Sequence, residues 1–173
     1  MKALANISNF SSEINHGALI TFSNVSDTRV FFSEQKNSTE FNQVVDSIED
    51  CRNDGATRII PALKRGLSEV FQHDKGMRKN TTKVVILLTD GGKHSSETVE
   101  DYEEMGQKYL DRDINFIVIG IGGVVEAHKK SLLSLVQTNT SFFHVQKWDD
   151  IDPELVEQVI AKICLGKNFF VIV

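Results

Sequence analysis

KVVILLTDGG, residues 83–92, joins a continuous apolar run to a threonine, an aspartate and two glycines. An unbroken run of aliphatic side chains such as Val84–Leu88 is typical of a strand that is buried on both faces. Turn residues directly after such a strand place polar groups at its carboxyl end, where open α/β sheets bind their ligands. The stretch therefore predicts a strand of a parallel sheet and a candidate site at Asp90.

The rest of the chain alternates strand and helix patterns around this stretch. INFIVIGI, residues Ile114–Ile121, predicts a second buried strand, and Gly17–Ser23 with Thr28–Phe32 predicts an antiparallel hairpin. Helical spacing is found in the first dozen residues and over Thr39–Cys51, Ile59–Phe71, Val99–Leu110, His128–Val136 and Pro153–Ile163, and Phe142–Val145 predicts a short strand. We predict an α/β fold, a doubly wound, mostly parallel sheet with one antiparallel edge strand and helices on both faces.

Composition excludes several classes of protein. The 173 residues suit one domain, and a net charge of -5 with no Lys/Arg block argues against nucleic acid or anionic lipid as partners. No apolar run is long enough to span a bilayer, so no membrane insertion is expected. The first residues lack the apolar core of a secretory signal peptide.

Asparagine sequons nevertheless point to an extracellular parent protein, secreted or an ectodomain. Six candidate glycosylation sites of the form Asn-x-Ser/Thr occur, at Asn6, Asn9, Asn24, Asn37, Asn80 and Asn139. The two cysteines, Cys51 and Cys164, are expected at opposite ends of the sheet, so we expect them not to pair with each other.

Two side chains supply hard oxygen atoms to the expected ligand-binding edge. Asp90 follows its strand directly, and Gly91 and Gly92 let the backbone turn away from a ligand. Thr57 stands at the start of the helix from Ile59, where its hydroxyl either caps the helix or faces a cation. Carboxylate and hydroxyl oxygens suit Mg²⁺ or Mn²⁺.

In order and spacing, the chain resembles the von Willebrand factor A family. The stretches that carry the resemblance are GALITFS…TRVFF, NDGATRIIPALKRGL, KVVILLTDGG, INFIVIGIG and ELVEQVIAKIC. The resemblance implies a metal-ion-dependent adhesion site built from three loops: Asp-x-Ser-x-Ser after the first strand, a threonine, and an aspartate in Thr-Asp-Gly. Thr57 and Asp90 match the second and third of these loops.

The first loop and its strand have no counterpart in this sequence. By resemblance, Met1 falls inside the first helix, so residues 1–165 are expected to form an A domain that lacks its first strand, with a weak or absent metal site. Residues 166–173 include NFFVIV, which resembles that first strand. Two explanations stay open: the segment begins a following A domain in tandem, or it folds back into the empty central position.

The resemblance implies an adhesion or matrix protein that binds a protein ligand, whose carboxylate completes the shell of the cation. A metal-independent structural A domain is one alternative, and an α/β hydrolase that uses Asp90 is another. We expect a binding module rather than an enzyme, so no catalytic residues are predicted. Gly120–Gly123 lacks the spacing of a dinucleotide loop, and the elbow motif that a triad with His94 would need is absent.

Overall fold

A computed structural model of the chain describes residues 15–48, 57–136, 141–163 and 169–172. The strands are β1 (Gly17–Phe22), β2 (Ser26–Val30), β3 (Lys83–Thr89), β4 (Ile114–Ile121), β5 (Phe142–Val145) and β6 (Phe169–Ile172). The helices are α1 (Ser38–Ser47), α2 (Ile59–Arg65), α3 (Val99–Leu110), α4 (Val124–Leu133) and α5 (Pro153–Ile163). A π-helical turn, Gly66–Val70, continues α2.

The six strands form one sheet in the order β2-β1-β6-β3-β4-β5. Only the edge strand β2 is antiparallel, to β1; the other pairings are parallel. The carboxyl ends of β1, β3, β4, β5 and β6 therefore meet along one edge, which we call the carboxyl edge. The predicted α/β fold with one antiparallel edge strand is confirmed.

Strand β6 occupies the central position of the sheet. Its backbone runs between β1 and β3, with Leu19 and Ile86 both aligned to Val171. This arrangement corresponds to the second explanation for the terminal NFFVIV, in which the segment pairs within this domain. Without it, the facing backbone groups of β1 and β3 would need other partners.

Alternation along the strands builds two hydrophobic cores, one on each face of the sheet. On β3, Val85 and Leu87 face one side, whereas Val84, Ile86 and Leu88 face the other. Helices α2, α3 and α4 cover the first side, and α1 and α5 cover the second. Burial on both faces explains why the apolar runs are continuous.

Several predicted boundaries are confirmed and others are corrected. The observed bounds of β3, α3, β4, β5 and α5 are those predicted. Helix α4 begins at Val124 rather than His128, because the chain turns at Gly122 and the buried Val125 already belongs to the helix. Strand β2 covers Ser26–Val30 rather than Thr28–Phe32, because the chain leaves the sheet at Phe32 in a 3₁₀ turn.

Three further predictions fall wholly or partly outside the described residues. These are the helix in the first dozen residues, the end of the helix predicted to reach Cys51, and the positions of Cys51 and Cys164. Among the helices that the structure does describe, none has the length and apolar character needed to cross a membrane.

Raising the pH tests the packing of the first core, because the chain's two tyrosines, Tyr102 and Tyr109, both lie in that core. Burial raises the pKa of both phenols, and the charge of Glu97 adds to the shift at Tyr102. The pKa of each phenol is higher in the folded chain than its unfolded value of about 10, so the protonated phenols favour the folded state. This contribution to stability is complete below that pH and is lost as the pH rises further. We expect tyrosinate absorbance to appear only together with the loss of far-ultraviolet circular dichroism. Tyrosinate absorbance in a chain that is still folded would contradict this packing.

Candidate functional site

Asp90 lies at the carboxyl edge because β3 ends one residue before it. The backbone N–H of Gly92 donates to Asp90 Oδ1 at 3.1 Å, and that of Gly91 donates to Thr89 Oγ1 at 3.2 Å. These bonds form the tight turn that Asp and Thr side chains favour. The Asp90 carboxylate is exposed, so it faces solvent with acceptor positions still available.

Gly91 holds this turn against helix α4. Its φ is 82°, and a Cβ built on it would lie 2.5 Å from Val125 Cα. Gly120 on β4 makes room for the same helix, since its Cβ would lie 2.7 Å from Val125 Cγ1. The glycine-rich stretch at Gly120–Gly123 thus allows close packing and a sharp turn, which accounts for it without a bound nucleotide.

Thr57 also lies at the carboxyl edge, in the segment that precedes helix α2. The N–H of Arg58 donates to the carbonyl of Ser23 at 2.8 Å, which ties this segment to the end of β1. The interpretation of Thr57 as the helix cap is wrong, because Arg58 is the cap residue of α2, and the side chain of Arg58 makes no capping hydrogen bond. The hydroxyl of Thr57 is not used for capping.

Thr57 and Asp90 converge on Gly92. The position that a Cβ would take on Gly92 lies 3.4 Å from Asp90 Oδ1 and 3.5 Å from Thr57 Oγ1. Gly92 has a negative φ, so the missing side chain serves to leave this space open. The structure thereby brings together the two side chains and the glycine that the sequence singled out.

The chemistry of these donors fits Mg²⁺ or Mn²⁺, which take hard oxygen ligands and keep several waters. Two protein oxygens fill only part of such a shell. The described residues hold no group of three His, Cys, Asp or Glu side chains placed for a metal. The roles of Thr57 and Asp90 as metal ligands, with Gly91 and Gly92 as backbone support, stay predictions.

Sequence reasoning missed Glu97, a buried carboxylate that joins the two loops. Glu97 is 6% exposed; its Oε1 accepts from the N–H of Ile60 at 2.9 Å, and its Oε2 accepts from the Tyr102 hydroxyl at 2.8 Å. The Lys93 amine donates to its backbone carbonyl. A carboxylate at the start of α2 is also stabilised by the helix dipole. Glu97 lies in the loop that follows Asp90, and it therefore caps helix α2, which follows the Thr57 segment.

Exposed apolar side chains also occur after the carboxyl ends of three strands. The described residues include four large hydrophobic side chains that are exposed, and three of them lie in the segments that follow the carboxyl ends of strands. Val25 follows β1, Val124 follows β4, and Trp148 follows β5; they are 76%, 54% and 53% exposed. Apolar side chains that are exposed at the same end of a sheet can take part in binding a protein partner.

The described glycosylation candidates are all on the surface. Asn24, Asn37 and Asn80 are exposed, whereas Asn6, Asn9 and Asn139 lie outside the described residues. Asn37 also caps α1, since its side-chain oxygen accepts from the N–H of Glu40 at 2.9 Å. That bond leaves the amide nitrogen available for a glycan.

Comparison with known proteins shows which family and which proteins the chain is similar to. The sequence model of the von Willebrand factor type A domain matches residues 2–158. Integrin alpha-X from Mus musculus is 29% identical over 114 residues, which are 62% of this chain and 10% of that protein. The curated relatives it matches are much longer, since the chain spans only 10% to 13% of their lengths.

Solved structures share the fold. Proximal thread matrix protein 1 from the mussel byssus, with a zinc-occupied MIDAS motif, superposes with a TM-score of 0.80 at 20% identity over 96% of this chain and 39% of that one. Manganese-loaded TRAP protein of Plasmodium vivax gives a TM-score of 0.72 at 18% identity over 96% of this chain and 63% of that one. At such identities the likeness establishes the fold.

The two neighbouring glycines should respond differently to alanine. Gly91→Ala combines a left-handed backbone with a clash against helix α4, and we expect it to lower the free energy of unfolding by about 2–4 kcal/mol. Gly92→Ala meets only ordinary contacts and should change it by less than ~1 kcal/mol. Urea unfolding of both variants measures the difference. Equal losses would show that the described loop geometry is wrong.

Glu97→Ala should destabilise the chain through the bonds that it breaks. It leaves the Ile60 N–H and the Tyr102 hydroxyl buried without their acceptor, which we expect to cost about 2–4 kcal/mol. The exposed Glu103 is the matched control, and Glu103→Ala should change stability by no more than about 0.5 kcal/mol. Similar urea midpoints for the two variants would contradict a bridging role for Glu97.

Proposed function

This chain belongs to the von Willebrand factor type A domain family, and we propose that it is an extracellular adhesion or matrix module that binds a protein through a divalent cation. One observation carries the proposal: Asp90 Oδ1 and Thr57 Oγ1 both lie within 3.5 Å of the open position above Gly92. Asp90 is the ligand on which the site depends most, because it alone brings a formal negative charge. Mg²⁺ or Mn²⁺ is the expected ion.

A bound cation would supply a positive charge at an otherwise exposed edge of the sheet. Thr57 and Asp90 would hold it, and a carboxylate from the partner protein would complete its shell. Charge-assisted contacts of this kind are stronger than neutral hydrogen bonds. Val25, Val124 and Trp148 would then contact apolar side chains of the partner around that polar centre.

The relatives support this class of function. Integrin alpha-X shares sequence with the chain, and the structures that share its fold include one described with zinc in its MIDAS motif and one described as manganese-loaded. The exposed sequons at Asn24, Asn37 and Asn80 are compatible with an extracellular glycoprotein. We propose a binding role without catalysis.

A metal-independent structural A domain is the alternative function. It is favoured by the small donor set, since two protein oxygens predict weak affinity for a cation. In that case Glu97 and the glycine turns would serve only to hold the loops, and the apolar side chains at the carboxyl edge would bind a partner directly.

Manganese titration of the chain separates these functions. We expect saturable Mn²⁺ binding with a dissociation constant of roughly 10⁻⁴ to 10⁻³ M, in the range of weak extracellular ion sites. Asp90→Asn should abolish it, and Thr57→Val should weaken it about tenfold through the loss of one oxygen ligand. Calorimetry, or the electron paramagnetic resonance signal of free Mn²⁺, measures both.

The matched control is Asp74→Asn, which removes a carboxylate at the opposite edge of the sheet. It should leave Mn²⁺ affinity unchanged. Gly92→Ala offers a second test, since its methyl group would fill the space between the two oxygens and lower affinity without unfolding the chain. Equal binding by the wild-type chain and Asp90→Asn, or no saturable binding, would favour the structural alternative.

A further inference from the structure

One of the exposed sequons lies at the carboxyl edge. Asn24 is in the bend between β1 and β2, where β1 reaches its carboxyl end. Asn24 is exposed, and the neighbouring Val25 is 76% exposed, so the described part of the chain leaves this bend open to solvent. A glycan is bulky and polar, and on Asn24 it would occupy the same edge of the sheet as Thr57 and Asp90.

A backbone hydrogen bond places Asn24 close to the Thr57 segment. The N–H of Arg58 donates to the carbonyl of Ser23 at 2.8 Å. Asn24 follows Ser23 directly, and Thr57 directly precedes Arg58. Standard bond lengths along this path limit the distance between the Cα atoms of Asn24 and Thr57 to about 10 Å. The sequon and the candidate cation site are therefore neighbours in space.

A protein partner that contacts a cation at this site would cover the sequon as well. A stable protein–protein interface buries about 800 Å² on each partner, which corresponds to a patch on the order of 30 Å across. A patch of that size centred on Thr57 and Asp90 extends beyond Asn24, which lies within about 10 Å of Thr57. A branched glycan on Asn24 would occupy the space that the partner needs, and such a steric clash discriminates against one ligand without affecting a smaller one.

The other described sequons belong to different parts of the fold. Asn80 precedes β3, and the seven residues of that strand place about 23 Å between its start and Asp90. Asn37 is the cap residue of α1, a helix that packs on one face of the sheet. Asn24 is thus the described sequon that the structure ties to the Thr57 segment.

We propose that a glycan on Asn24 gates the carboxyl edge, so that divalent cations are admitted and protein partners are excluded. The inference rests on the proposed function for what is excluded, whereas the gate itself depends only on the position of Asn24. A metal ion is small enough to reach Thr57 and Asp90 past the glycan. Val25 is available to a partner only in the chain that lacks this glycan. The fraction of chains that carry it therefore sets how much of the protein can bind its partner.

Chains that keep a single sequon test the gate. The Ser or Thr of every other sequon is changed to Ala, which preserves the Asn37 side chain that caps α1. One chain then carries a high-mannose glycan on Asn24 alone, and the matched control carries it on Asn80 alone. Mass spectrometry verifies the occupancy of each site, and thermal melting verifies that both chains are folded.

Two probes of different size report on the carboxyl edge. The small probe is Mn²⁺, measured by calorimetry. The large probe is a set of Fab fragments selected on the chain without glycans, of which only those that lose binding to Asp90→Arg are used. That selection ensures that each Fab contacts the edge around the candidate cation site, whether or not the site binds an ion.

We expect the glycan on Asn24 to weaken Fab binding at least about tenfold, because the two molecules compete for the same space. Trimming that glycan to its first N-acetylglucosamine with endoglycosidase H should restore the affinity to within about threefold of the chain without glycans. The glycan on Asn80 should change Fab affinity by less than about twofold, since it lies near the opposite end of β3. Mn²⁺ affinity should be the same in both glycosylated chains.

Equal Fab affinity for the chains glycosylated on Asn24 and on Asn80 would overturn the gate, as would an Asn24 that mass spectrometry finds without a glycan. A loss of Mn²⁺ binding in the Asn24 glycoform alone would also overturn it, because ions would then be excluded too. If no chain binds Mn²⁺, the proposed cation site is wrong, and the Fab measurement still decides the gate.

Discussion

The pairing of strand β6 between β1 and β3 is the contact on which the rest of the molecule depends. A parallel sheet buries its strand edges, so each backbone group there needs a partner from the next strand. β1 and β3 do not pair with each other; β6 supplies partners to both. Through it, the hairpin of β1 and β2 is held in the sheet that carries Asp90, and the Thr57 segment is held with it through the bond from Arg58 to Ser23.

Local sequence patterns predicted the elements in which buried side chains recur with the regular spacing of a strand or a helix. The unbroken apolar run of β3 and the helical stripe of α3 identified both elements and their bounds. The start of α4 was missed because Val124 and Val125 follow two glycines and look like strand residues, while the packing of Val125 against Gly91 and Gly120 decides the helix. Glu97 was missed because its partners, Ile60 and Tyr102, are set by tertiary structure and leave no periodic signal.

The same limit applies to the distribution of charge. No run of Lys and Arg exists in the sequence, yet the fold brings Lys83 and Arg112 together at the amino ends of β3 and β4. The candidate cation site differs, because each of its two loops carries a recognisable local motif. The candidate oxygen ligands therefore lie at the carboxyl edge, and Lys83 and Arg112 lie at the opposite end of the strands.

Glu97 and Gly91 indicate how rigid the carboxyl edge is before any ion binds. One carboxylate joins the Asp90 loop to the start of α2, and the absence of a Cβ lets the same loop pack on α4. Both contacts lie inside the protein and involve neither Thr57 Oγ1 nor Asp90 Oδ1. The loops are therefore positioned by packing and internal hydrogen bonds. A cation at this edge would then contribute to recognition of a partner more than to folding, which is the division of roles that a preorganised binding site requires.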